Sequence, residues 1–115
     1  LGAGDQLRHY TYGGDLAKGV RACVEQANAV DEDFNLSTPI GHTVMQLAQA
    51  VWQFIRPEQP FRYTCDPPFP YDVQQRVPAV DKARRLLGFE ATTPLATILA
   101  EVVPWVRRQL ALGNI

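Results

Sequence analysis

The stretch FNLSTPIGHTVMQLAQAV, Phe34–Val51, decides the reading of the fold. Thr43 and Gln46 stand three apart as a T-x-x-Q capping box, in which each side chain satisfies a backbone donor at a helix start. Val44, Leu47, Ala48, Val51 and Ile55 then recur at helical spacing, and Pro57 closes the run, so a helix is predicted over residues 44–55. Asp33-Phe-Asn-Leu36 precedes it and follows another helical segment, the setting of a parallel strand in a β-α-β-α order.

Outward from that step, Leu16, Val20, Cys23, Val24 and Ala27 give an apolar stripe for a helix over 15–26, with Asp15 placing negative charge at its start. A short helix over 80–87 is followed by Gly88, suited to a left-handed C-terminal cap. A longer one over 94–111 has Thr93 as cap and Pro94 at the first helical position, with Leu95, Ile98, Leu99, Val102, Val106 and Leu110 as its face. Pro104 lacks a helical donor, so a kink or break is expected around 100–104. Strands are expected at 8–12, 33–36 and 61–65; in the last, Phe61, Tyr63 and Cys65 alternate with Arg62 and Thr64. Pro67, Pro68 and Pro70 mark 66–77 as an ordered loop. The expected class is helix-rich α/β, in one domain over 1–115.

Composition excludes several classes. The 115 residues carry 11 Lys and Arg against 12 Asp and Glu, for a net charge of −1. Nucleic-acid modules bind through an excess of positive charge, and here the arginines occur in pairs and singles, so no nucleic-acid partner is expected. No apolar run reaches the ~20 residues of a membrane span, and the first residues lack the pattern of a signal peptide. Cytoplasmic residence is expected, with Cys23 and Cys65 as buried, reduced thiols. His9 and His42 have no partner at metal-ligand spacing, and Asp31-Glu32-Asp33 reads as a solvated turn rather than a cation site.

Three stretches resemble the C-terminal part of the NAD-dependent nucleotide-sugar epimerase/dehydratase family, the extended short-chain dehydrogenases. GAGDQLRHYTYGGDLAKGV (Gly2–Val20) is similar to the family's segment beginning G-x-G-x-Q-x-R. Phe34–Val51 is similar to its Y-N-L-G strand and T-V-x-E-L-A helix. YDVQQRVPAVDKARRLLGFEATTPLATIL (Tyr71–Leu99) is similar to its segment running from G-D through S-K-A to L-G-W. They occur in the family's order and cover nearly the whole chain.

The resemblance implies that Arg8 and Tyr10 lie beside a nucleotide's ribose and diphosphate; a guanidinium fork suits phosphate oxygens. Read without it, Arg8 is a solvated strand residue and Tyr10 a core aromatic. In the loop before the third helix, Asp72 is retained and implied to take a hydrogen bond from a ribose hydroxyl. Phe69 stands where the family carries a phosphate-binding arginine and Tyr71 where it carries glycine; Arg76 is the substitute cation nearby, or else a surface ion-pair residue.

The family's cofactor is NAD or NADP, held by a glycine fingerprint that opens a helix. Gly2-Ala3-Gly4 is a lone G-x-G with no strand before it and no helix after it. The family's Tyr-x-x-x-Lys pair is not present either: four residues after Tyr10, Tyr12, Tyr63 and Tyr71 stand Gly14, Leu16, Pro67 and Gln75. The expectation is a nucleotide-sugar-recognising C-terminal portion that holds no cofactor alone, lacks the Rossmann portion and does not transfer hydride. Its apolar faces are then covered by the Rossmann half or by homodimerisation. A helical self-association or regulatory module without turnover is the alternative.

Overall fold

The computed structural model describes residues 2–115. Its elements, in chain order, are β1 (Leu7–Arg8), α1 (Gly13–Glu25), a 3-10 turn at Ala27–Ala29, β2 (His42–Thr43), α2 (Val44–Ile55), α3 (Asp81–Leu87) and α4 (Leu95–Ala111). β1 and β2 pair antiparallel, Leu7 opposite Thr43 and Arg8 opposite His42. Leu7 also bridges to Gln75 in parallel. The class is helix-rich α/β, as expected.

The helix ends follow local chemistry. Thr43 Oγ1 accepts from the Gln46 N–H at 3.0 Å, and Gln46 Oε1 accepts from the Thr43 N–H at 2.8 Å, which completes the capping box. The next two orphan donors of α2 are taken by the chain's first segment: Val44 N–H donates to Gln6 O and Met45 N–H to Gly4 O. Gly4 holds φ +81°, and a Cβ there would lie 3.2 Å from Met45 Cβ, so the close approach requires glycine. Gly88 ends α3 at φ 61° and ψ 21°, the left-handed cap anticipated from its position.

At α4 the cap differs. Pro94 occupies the extended position before Leu95, and Thr93 points its backbone N–H at Asp15 Oδ2, 3.0 Å away. Helix α4 is not interrupted at 100–104. Ala100 and Pro104 are both exposed, so the carbonyl that loses its donor lies on the solvent side.

Two expected strands do not form. Residues 33–36 join no ladder; Asp33 is bound by Lys82, and Asn35 donates to Ala79 O at 3.2 Å. Their anchors lie on and just before α3, so side chains take the place of a neighbouring strand. Residues 61–65 also lie outside any ladder. Alternation places Phe61 and Tyr63 on one side, where their rings stack at 5.3 Å and Phe61 meets Trp52 edge-on at 5.9 Å. The expected strand at 8–12 is confined to Leu7–Arg8, since its partner β2 has only two residues.

The core is small: Ala83, Leu87, Ala91, Leu99 and Val103 are its buried hydrophobics among the described residues. On α4 the buried line is Leu99–Val103, while Val102 and Leu110 face outward, contrary to the anticipated face. On α1 the buried residues are Asp15 and Gly19, and Leu16, Val20 and Val24 are exposed. Gly19 makes room for two neighbours; a Cβ there would fall 2.9 Å from Phe89 Cζ and 3.1 Å from Leu36 Cδ2. Neither cysteine is buried as expected: Cys23 is half-buried and Cys65 exposed, and both are free thiols.

The shape is open. The radius of gyration is 17.1 Å, with extents of 50 × 38 × 24 Å, against about 13 Å for a compact chain of this length. The accessible surface is 8188 Å², roughly 1,900 Å² more than the ~6,300 Å² expected of a folded monomer of this mass.

Candidate functional site

Three separated segments meet around an open cavity of about 500 Å³, lined by Arg8, His9, Tyr10, Ser37, Val44, Arg76 and Pro78. The first segment leaves β1, the second runs into β2 and α2, and the third descends from the proline-rich loop. The β1–β2 pairing and the Leu7–Gln75 bridge bring them together. Leu7 N–H also donates to Gln74 O at 2.8 Å, so the loop is fastened directly beside Arg8.

Of the four residues anticipated at a site, Arg8, Tyr10 and Arg76 line this cavity, and Asp72 contacts Arg8. Arg8 Nη1 donates to Leu7 O at 2.8 Å, and its Nη2 lies 3.6 Å from Asp72 Oδ1. Gln6, itself buried, donates from Nε2 to Asp72 Oδ2 at 2.7 Å. Asp72 therefore has a protein partner at each carboxylate oxygen. Arg76 is exposed and makes no ion pair among the described residues. Phe69 and Tyr71 are exposed and do not line the cavity.

His9 and Ser37 are cavity residues that the sequence reading did not assign. Strand alternation would send His9 away from Arg8 and Tyr10, but β1 stops at Arg8 and alternation stops with it. His9 Nδ1 lies 2.9 Å from Thr38 O; a carbonyl only accepts, so Nδ1 carries the proton. Ser37 Oγ is 2.9 Å from Thr11 Oγ1, which accepts from the buried Thr38 N–H at 3.1 Å. These bonds hold residues 9–11 against 37–38 and fix one wall of the cavity. No periodicity in the sequence signals such a contact across 26–29 residues.

Three sets of ionisable groups support the surrounding frame. The Asp15 carboxylate, 4% exposed, accepts from the Thr93 N–H and pairs with Lys18 at 3.1 Å. Hydrogen bonding from Thr93, with help from Lys18, holds its acid below the ordinary carboxylate range against an opposing effect of burial. The Tyr12 hydroxyl donates to Glu101 on α4, and that bond and charge push the phenol up. Asp31-Glu32-Asp33 ties the chain to α3: Lys82 pairs with Glu32 at 2.8 Å and Asp33 at 2.7 Å. Among the described residues no group of acidic, histidine or cysteine side chains is arranged to hold a metal.

The Gly2–Gly4 segment does not fit a dinucleotide pyrophosphate. Gly2 N–H is committed to Asp66 O, and Gly4 O receives the Met45 N–H at the start of α2. The segment caps a helix through its carbonyls, whereas a phosphate cradle presents free N–H groups.

No family model matches the sequence. The chain is 28% identical over 109 residues to UDP-glucuronic acid decarboxylase 1 of Danio rerio, covering 95% of this chain and 25% of that protein. The Xenopus tropicalis counterpart is 29% identical over the same shares. Among solved structures, an epimerase from Methanothermobacter thermautotrophicus superposes with a TM-score of 0.86 at 26% identity, over 96% of this chain and 33% of that one. A UDP-glucose 4-epimerase from Thermotoga maritima, solved with UDP-glucose, gives 0.82 at 28% identity, over 96% and 34%. The chain thus spans about a quarter of its curated relatives' length and about a third of its structural ones. No described helix is long and apolar enough to cross a membrane. In sequence and in fold, the chain is similar to the C-terminal part of the NAD-dependent nucleotide-sugar epimerase/dehydratase family, the extended short-chain dehydrogenases.

Proposed function

We propose that this chain supplies the nucleotide-sugar-recognising half of an epimerase- or decarboxylase-type site and performs no hydride transfer by itself. The carrying observation is that Arg8, Tyr10 and Arg76, from segments 66 residues apart, face one 500 Å³ cavity. Two guanidinium groups suit a diphosphate, and an aromatic ring beside them suits a ribose or base. The solved relative holding UDP-glucose supports a uridine nucleotide as the first ligand to test.

Titration calorimetry with UDP, UDP-glucose and UDP-glucuronic acid, alongside GDP-, ADP- and dTDP-sugars, is the direct test. Heat is expected for at least one nucleotide sugar. Arg76→Gln should weaken that binding by about 10- to 100-fold, the loss of one or two charge-assisted phosphate bonds. No heat with any of them at high protein concentration would sink the proposal.

The extra ~1,900 Å² of surface and the exposed Leu16, Val20 and Val24 on α1 favour a covering partner as part of this function. That partner is a cofactor-binding Rossmann half or, without one, a second copy of the chain. Sedimentation velocity of the isolated chain should show a dimer that dissociates on dilution. A strict monomer with no binding of an apolar dye would refute self-association.

A further inference from the structure

We infer that Asp72 is a built-in counter-ion that occupies Arg8 before ligand does, so that an anionic ligand enters by displacing it. This rests on the reading of the cavity as an anion-binding site. Arg8 and Asp72 are both partly shielded, their side chains 25% and 22% exposed, and are joined at 3.6 Å. That distance exceeds a good charge-assisted hydrogen bond, so the pair is held by charge and leaves most guanidinium donors uncommitted. The carboxylate stays there because Gln6 fixes its other oxygen at 2.7 Å and Gln74 Nε2 donates to the Asp72 carbonyl at 3.3 Å.

The two cationic groups of the cavity are therefore unequal. Arg76 is exposed with no acidic partner among the described residues and meets an incoming diphosphate first. Arg8 gives its full charge to a ligand only when phosphate oxygens replace Asp72 Oδ1 as its counter-ion. A dianion with two oxygens to place gains both arginines and offsets the lost pair; a singly charged anion gains less. Asp72 thereby selects for the more highly charged ligand, and loop 66–77, which carries both Asp72 and Arg76, is where displacement is felt. Because Asp72 and the diphosphate compete for one guanidinium, they act as like charges around it.

The probe is inorganic pyrophosphate, followed by UDP. Asp72→Asn should bind pyrophosphate about fivefold more tightly than wild type, the scale of a partly screened ion pair. Arg8→Gln in the same background should abolish the gain. In unaltered protein, the carbon-13 resonance of the Asp72 carboxyl should shift on saturation, a readout that needs no variant to fold. Weaker UDP binding by Asp72→Asn would make Asp72 a direct ligand contact and overturn the counter-ion role while leaving the site intact. Unchanged affinity with an unmoved carboxyl resonance would overturn it equally. If neither wild type nor variant binds pyrophosphate, UDP or any nucleotide sugar, both this inference and the proposed function fall.

Discussion

Leu99→Ala is expected to lower the unfolding free energy by about 2–4 kcal/mol, the largest single effect of a core truncation in this chain. Leu99 is 7% exposed and lies one turn before the buried Val103 on α4. The core has few other large side chains, since two of its five buried hydrophobics are alanines. A cavity at Leu99 has little neighbouring bulk to collapse into it. For a chain of this size the whole stability is about 6–17 kcal/mol, so the loss is a substantial fraction. Val102→Ala, three positions along the same helix but 41% exposed, should cost less than about 1 kcal/mol. Urea unfolding followed by circular dichroism measures both. Equal effects of the two substitutions would show that the Leu99–Val103 line is not the packed face of α4.

Asp15→Ala should cost about 1–3 kcal/mol, because it leaves the Thr93 N–H at the α1–α4 junction without its acceptor. Asp15→Asn, which keeps an oxygen acceptor, should cost less. The same residue gives acid sensitivity of known sign. Its folded-state acid is stronger than in the unfolded chain, so its contribution is complete above the unfolded value near pH 4. It is lost as pH falls through the lowered folded value. In wild type, melting temperature should drop in acid; in Asp15→Asn that portion of the drop should be missing. Parallel acid profiles for the two proteins would remove Asp15 from the account.

Asp15 also shows how far the sequence can be read. Its place at the start of α1 was legible from helical spacing and from the attraction of a carboxylate to a helix N-terminus. Its burial, and its bond to a backbone group 78 residues away, were not. The site divides in the same way. Arg8, Tyr10, Asp72 and Arg76 were singled out as candidates through a colinear resemblance, yet Asp72's engagement with Gln6 and Arg8 and the inclusion of His9 come from tertiary geometry. The strand expected at 8–12 is longer than its two-residue partner can sustain.

What the sequence determined by itself is the set of helices and most of their ends. The Thr43–Gln46 capping box, the proline after α2 and the left-handed Gly88 act within a few residues of themselves, so their energies are present in any local reading. What only the tertiary structure decided is strand pairing, the buried side of α1 and α4, and the cavity. Each depends on which distant segment arrives as a neighbour. Residues 33–36 and 61–65 carry strand-like patterns, but a strand is completed by a partner's N–H and C=O groups. Here the Lys82 side chain of α3 and the Ala79 carbonyl just before it hold residues 33–36, and Phe61 and Tyr63 stack beside Trp52 of α2.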